Sequence, residues 1–174
     1  MVFLDRDGVI NRKMPEGDYV KDWGEFSFLP GVLKAIKMLK GNGFLIAVIT
    51  NQRCVAKGII TEEELKEIHE RMVNEIRRYG GDIDAVYFCP HDVSDGCGCR
   101  KPEPGMILRA IKDFRDCNME VDLERSYVVG DSEKDILSAK ALGIKSIKVG
   151  EYLPEADMNK RDLLEAVETI IGHD

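Results

Sequence analysis

The sequence predicts an α/β fold with a mostly parallel sheet covered by helices on both faces. Three observations predict it. Short apolar runs alternate with stretches of helical periodicity along the chain. The runs are continuously apolar, as strands buried on both faces are. Several end in a polar cluster, and the C-terminal edge of such a sheet is where ligands bind.

The first run, Met1 to Leu4, ends in Asp5-Arg6-Asp7-Gly8. Side chains two apart on a strand share a face, and Gly8 lets the chain turn sharply. Two adjacent carboxylates repel, and a dication keeps both ionised. Residues 9–30 are polar and irregular, with Pro15, Gly17, Gly24 and Pro30. That is too long for a turn and reads as a functional loop or small flap. Pro30-Gly31 opens a helix carrying Val32, Leu33, Ile36 and Leu39, stopped by Gly41-Asn42-Gly43. Phe44 to Ile49 reads as a buried strand leading into Thr50-Asn51-Gln52. Thr61-Glu62-Glu63-Glu64 is a capping box. Its helix runs to about Arg78, with Leu65, Ile68, Met72, Val73 and Ile76 inward, and Gly80-Gly81 ends it.

Ala85 to Cys89 is the third strand, followed by a cysteine-rich loop to Lys101. Pro104 starts a helix over Met106, Ile107, Ala110, Ile111 and Phe114. Ser126 to Val129 is the fourth strand and runs into Gly130-Asp131-Ser132. Asp135 to Leu142 is helical, with Gly143 as its stop. Ile144 to Val149 is the fifth strand, and a last helix covers Arg161 to Ile171.

A length of 174 residues suits one domain spanning 1–174 with a full core. The net charge of −7 argues against a nucleic-acid partner, although a local cationic pocket is compatible with it. The longest apolar run, Phe44 to Ile49, is far short of a membrane span. The N-terminus goes straight into Phe3-Leu4-Asp5, without a signal peptide. The expectation is a cytoplasmic monomer with no membrane partner.

Five cysteines fit a disulfide framework badly, being odd in number. Cys89, His91, Cys97 and Cys99 supply three thiolates and an imidazole, enough to close a tetrahedral zinc shell without water. A closed shell does no Lewis-acid chemistry, so the site reads as structural. The loop has little apolar surface beyond Pro90 and Val93, and Arg100 and Lys101 follow its last ligand directly. Fixing Cys99 therefore fixes both cations. Cys54 and Cys117 stay free in this reading.

Four polar clusters thus fall at strand ends or just beyond: Asp5/Asp7, Thr50/Asn51, Arg100/Lys101 and Asp131/Asp135. In that order they resemble the four motifs of the haloacid dehalogenase superfamily. More narrowly, Phe3 to Asn11, Thr50-Asn51-Gln52 and Cys89-Pro90-His91 through Lys101-Pro102 resemble the heptose-bisphosphate phosphatases and the related histidinol-phosphate phosphatases. The resemblance implies a Rossmann-like three-layer αβα sandwich with strand order 5-4-1-2-3. It implies a Mg²⁺-dependent phosphomonoesterase acting through a phosphoaspartate on a small phosphorylated sugar. Asp5 would be the nucleophile and Asp7 the general acid and base. Mg²⁺ would be held by Asp5, the Asp7 carbonyl and Asp131. Thr50, Asn51, Arg100 and Lys101 would meet the substrate. Asp135 would support the metal or Lys101, unless it is only a first-turn acid of its helix.

The spaces between the motifs leave no room for a cap domain, so the site should be open. After Thr-Asn-Gln the heptose enzymes usually carry a small pair, where this chain has Arg53-Cys54. Arg53 could bind a second substrate anion or stay solvated. The cysteine spacing is the short form of the histidinol-phosphate enzymes, whereas Val9-Ile10-Asn11 and Pro104-Gly105-Met106 look more like the heptose side. A non-catalytic phosphosugar- or metal-binding module is disfavoured by the intact Asp5, Asp7, Lys101 and Asp131. A phosphotransferase would use the same residues.

Overall fold

The computed structural model describes residues 1–172. Its centre is β1 (Val2–Leu4), a fully buried three-residue strand. It pairs in parallel with β2 (Ile46–Asn51) on one side and β4 (Tyr127–Gly130) on the other. β3 (Ala85–Cys89) pairs with β2, β5 (Lys145–Val149) with β4, and β6 (Met158–Lys160) with β5. The order is β3-β2-β1-β4-β5-β6. The expected five-strand order stands, and the sheet is entirely parallel. β6 is an addition: three half-buried residues with no apolar run to announce them.

Period-two alternation divides the core. Val2 and Leu4 face α1 (Val32–Gly41), α3 (Glu62–Arg78) and α6 (Leu163–Gly172). Phe3, Ala47 and Ile49 face α4 (Gly105–Asp116) and α5 (Glu133–Lys140). The result is three layers. The Thr61 capping box forms as expected, its hydroxyl accepting from Glu64 N at 3.1 Å and Glu64 accepting from Thr61 N at 2.7 Å. α3 buries Leu65, Ile68, His69, Met72 and Ile76, while Val73 is only half-buried. β2 starts and ends two residues later than its apolar run, because pairing with β3 continues to Asn51 opposite Cys89. A short helix, α2 (Arg53–Ala56), follows it.

Residues 9–30 form an irregular flap closed at its base. Arg12 N donates to Ser27 O and Leu29 N to Ile10 O. Trp23 stacks on Phe26 with ring centres 4.9 Å apart, and Phe28 meets Phe26 edge-on. No helix of the described residues is long and apolar enough to cross a membrane.

Candidate functional site

Parallel register puts Leu4 beside Val48 and Val129, so Asp5 emerges between β2 and β4 at the C-terminal rim. Its amide donates to Val129 O at 3.0 Å. The turn after Asp7 depends on glycine: Gly8 has φ +88°, and a Cβ there would overlap the Asp131 carboxylate. A Cβ on Gly130 would likewise overlap Asp135. The first brings Asp131 against the turn after β1, and the second brings Asp135 against the end of β4.

Lys101 sits at the middle of this rim, 3% exposed. Its ammonium lies 2.9 Å from Asp5 Oδ1 and 2.6 Å from Asp135 Oδ1, and it donates to Ile49 O at 2.8 Å. Those three contacts match its three protons. The side chain is set by its backbone. Asn51 Nδ2 donates to Lys101 O at 3.1 Å, and Asn51 Oδ1 accepts from Lys101 N at 3.0 Å. Asn51, expected among the substrate contacts, thus has its amide engaged in holding Lys101. Asp135 is fully buried and closes a capping box on Ser132, accepting from its N and Oγ. It supports Lys101, one of the two roles the resemblance left open.

The two motif-one carboxylates have opposite surroundings. Burial pushes Asp5 up to about 7; Lys101 pulls it down, while Asp135 and Asp131 push it further up. Burial would raise Asp7 as well, but the Arg6 charge and hydrogen bonds from Asn11 and Gln52 hold it below the usual carboxylate range. Arg6 Nη2 reaches both Asp7 oxygens at 3.0 and 2.9 Å. Asn11 Nδ2 and Gln52 Nε2 each donate to one of them at 2.9 Å. Gln52 Nε2 also donates to Thr50 Oγ1 at 2.8 Å, linking the second motif to the first.

Carboxylate oxygens of Asp5, Asp131 and Asp135 converge within 4.8 Å of one another. Such an all-oxygen anionic set suits a hard dication such as magnesium. Lys13, on the flap, reaches Asp131 Oδ2 at 2.6 Å. The second cluster is Cys89, His91, Cys97 and Cys99, whose donor atoms also lie within 4.8 Å of one another. Three sulfurs and an imidazole nitrogen suit zinc. Cys54 and Cys117 lie outside it.

Asp5, Asp7, Thr50, Lys101 and Asp131 line a cleft of about 350 Å³ with flap residues Lys13–Val20 along one wall. Arg53 and Arg100 stand at its edge. Arg53 Nε pairs with Asp92 at 2.6 Å, and Arg100 Nη1 donates to His91 O at 3.2 Å. Both cations are thus tied to the cysteine loop. No second domain covers the cleft among the described residues.

Arg6, Gln52 and Ser132 stand inside the motifs but had no role of their own from the sequence, Lys13 lies on the flap, and His69 was not read as part of the site. Two left a signal. Arg6 lies between the two aspartates, directly after an apolar run. His69 falls on the inward stripe of α3, four residues after Leu65.

The polynucleotide kinase 3 phosphatase family matches residues 2–162. A D-glycero-β-D-manno-heptose-1,7-bisphosphate 7-phosphatase of Rhodopseudomonas palustris is 40% identical over 153 residues, covering 84% of this chain and 81% of its own. A D-glycero-α-D-manno-heptose-1,7-bisphosphate 7-phosphatase of Mycobacterium bovis is 38% identical over 154 residues, covering 86% and 78%. The fold superposes on a crystal structure of the D,D-heptose 1,7-bisphosphate phosphatase of B. bronchiseptica, complexed with magnesium and phosphate. The TM-score is 0.89 at 33% identity, over 99% of this chain and 98% of that one.

Proposed function

Because the chain belongs to the polynucleotide kinase 3 phosphatase family of haloacid dehalogenase-like hydrolases, alongside the heptose 1,7-bisphosphate 7-phosphatases, we propose that it is a phosphatase for the 7-phosphate of D-glycero-D-manno-heptose 1,7-bisphosphate. One observation carries the reading: Asp5, Lys101 and Asp131 meet at one rim, backed by the buried Asp135, in a cleft edged by two further arginines.

In this reading an Asp5 oxygen attacks phosphorus in line and the P–O bond to the sugar breaks. Asp7, ionised in the free protein, takes up a proton as the anionic substrate binds beside it and gives that proton to the leaving alkoxide. A water then attacks the aspartyl phosphate, Asp7 takes the water's proton, and Asp5 and inorganic phosphate are released. Lys101 orients Asp5 and offsets charge on the transferred group. Thr50 is placed for a phosphoryl oxygen, fixed by Gln52. Asp5, the Asp7 carbonyl and Asp131 would hold magnesium, which would supply the charge that keeps the carboxylates ionised beside an anionic substrate. Zinc, held by Cys89, His91, Cys97 and Cys99, supplies only the shape of their loop. Arg53 and Arg100 meet the second phosphate of a bisphosphate.

The short Cys-x-His-x₅-Cys-x-Cys spacing favours a second reading, histidinol-phosphate phosphatase. In either case we take the protein to be one cytoplasmic domain of residues 1–174, acting as a monomer without membrane or nucleic-acid partners. The −7 charge supports the last point.

The test is phosphate release with Mg²⁺, then with EDTA, from heptose 1,7-bisphosphate of both anomers, heptose 7-phosphate, histidinol phosphate and a 3′-phosphorylated oligonucleotide. Heptose 1,7-bisphosphate is expected to lead in kcat/KM, with EDTA abolishing release. Histidinol phosphate in first place would overturn the assignment in favour of the second reading, and the oligonucleotide in first place would overturn both.

A further inference from the structure

We propose that His69, on α3 and outside the four motifs, is a positioning residue for the proton-transferring carboxylate of Asp7, acting through the buried guanidinium of Arg6. The inference rests on the acid–base reading of Asp7 and extends it to a helix that does not itself reach the strand ends.

Arg6 is 1% exposed, so water does not satisfy its guanidinium. Nη2 is committed to the two Asp7 oxygens, and Nη1 lies 3.1 Å from His69 Nε2. Arginine only donates, so Nε2 must accept, and the ring is neutral with its proton on Nδ1. Burial and the Arg6 charge favour that same neutral form. The third guanidinium nitrogen, Nε, has no hydrogen-bond partner. The group is therefore fixed at two points, Asp7 and His69. Without His69, Arg6 keeps one anchor, and that anchor is the carboxylate whose direction matters.

The platform under His69 is rigid. α3 is 17 residues long and closed by its capping box, and the His69 ring packs 5.8 Å from that of Phe88 on β3. The other Asp7 donors, Asn11 and Gln52, belong to the flap base and the second motif. Arg6 with His69 thus ties Asp7 to the helical layer. A carboxylate that must deliver and recover a proton along a fixed direction is sensitive to small displacements.

The structure also supplies a way to test this from outside. Between α3 and the edge strand β3 lies a groove of about 480 Å³, lined by Lys66, His69, Glu70, Val73, Val86 and Phe88. His69 lines this groove and not the cleft, so a small molecule can refill a space made there.

The experiment compares kcat/KM for heptose 1,7-bisphosphate, whose alkoxide needs a proton, with that for p-nitrophenyl phosphate, whose phenolate does not. His69→Leu keeps bulk and removes the acceptor. It is expected to lose about tenfold on the sugar phosphate and little on the aryl phosphate. His69→Gln, with a carboxamide oxygen to accept from Arg6, should recover most of the loss. His69→Ala should be restored by added imidazole, while His69→Leu should not. Melting temperatures show which variants are folded, and if His69→Leu is not, the glutamine and alanine variants decide the matter. Equal losses on both substrates, full activity of His69→Ala, or failure of both rescues would overturn the proposal. Asp7→Asn run alongside separates the two claims. If it spares the aryl phosphate and His69→Leu does not, the positioning role falls alone. If Asp7→Asn itself hits both substrates equally, the acid–base reading of Asp7 falls and this proposal with it.

Discussion

Asp5 and Arg100 face one cleft but are held there by different forces. Asp5 leaves the central strand of the sheet, with backbone pairing on both sides and a buried ion cluster around its carboxylate. Arg100 follows a loop with almost no apolar content, in which Val93 is 64% exposed. That loop is gathered by four donor side chains, by the Arg53–Asp92 pair and by a few backbone bonds such as Gly105 N to Gly98 O. The chemistry side is built by the fold. The recognition side of the proposed reading is gathered by a donor set that suits zinc. Damage to one should therefore appear in kcat and damage to the other in KM.

The sharpest way to break that division is at Asp5. Asp5→Asn should take turnover to near background, because an amide cannot form the acyl phosphate. The fold should survive, since Lys101 keeps Asp135 and Ile49 O. Retention of even a tenth of wild-type turnover in a clean preparation would remove the phosphoaspartate mechanism.

Lys101→Met probes the same cluster through stability. It leaves Asp5 and Asp135 buried side by side without their shared cation. Removing one partner of a buried ion pair costs about 3–5 kcal/mol, and activity should vanish with it. Denaturant melts should show a large loss of stability. A melt within about 1 kcal/mol of wild type, a typical single-substitution effect, would mean that the rim is held by sheet pairing alone.

The cysteine loop is the other arm of the comparison. Cys97→Ser and Cys99→Ser should each lose zinc and raise KM by about tenfold, as expected when a charged contact is lost. Turnover should change little, because Lys101 is separately anchored by both ends of the Asn51 amide. Metal analysis of protein purified without chelator checks the first half, and steady-state kinetics the second. Fully active wild-type protein with no bound metal after growth in zinc-replete medium would end the structural-zinc reading. A fall in kcat as large as the rise in KM would show that the two sides are not separable.

How far the sequence reached follows the same division. The rim was legible because Asp5, Thr50 and Asp131 each follow an apolar run directly or within two residues, and parallel register then brings those ends together. The donor cluster was legible from ligand count and spacing. Contacts made by ordinary-looking residues were not. Asn51 read as a substrate contact, yet its amide reaches the Lys101 backbone, fifty residues on. Arg53 read as a substrate-binding or solvated cation, and the Asp92 carboxylate that holds it was not visible in the sequence. β6 escaped notice because a three-residue edge strand needs no apolar pattern. Val73 read as inward and packs against the core only in part, its other side lining the outer groove, since helical spacing gives a stripe but not its width.

The smallest effect expected concerns His69 and acid. Its pKa is pushed down to about 3 by burial and by Arg6, from an ordinary value of 6.5. Between those two values the unfolded chain holds a proton on His69 that the folded chain does not. Stability therefore rises with pH in this window. The neutral histidine's share is fully present above 6.5 and is lost progressively as pH falls toward 3. One such group costs about 1 kcal/mol of stability between pH 7.5 and 5.5. His69→Gln does not titrate and keeps an acceptor for Arg6, so its stability should decline less over the same interval by about that amount. Denaturant midpoints for the two proteins at pH 7.5, 6.5 and 5.5 measure the difference directly, with every other titrating group in common. Parallel curves would mean that His69 takes up its proton in the folded protein. Nε2 would then be a donor facing another donor, and the Arg6 contact could not be the hydrogen bond that ties Asp7 to the helical layer.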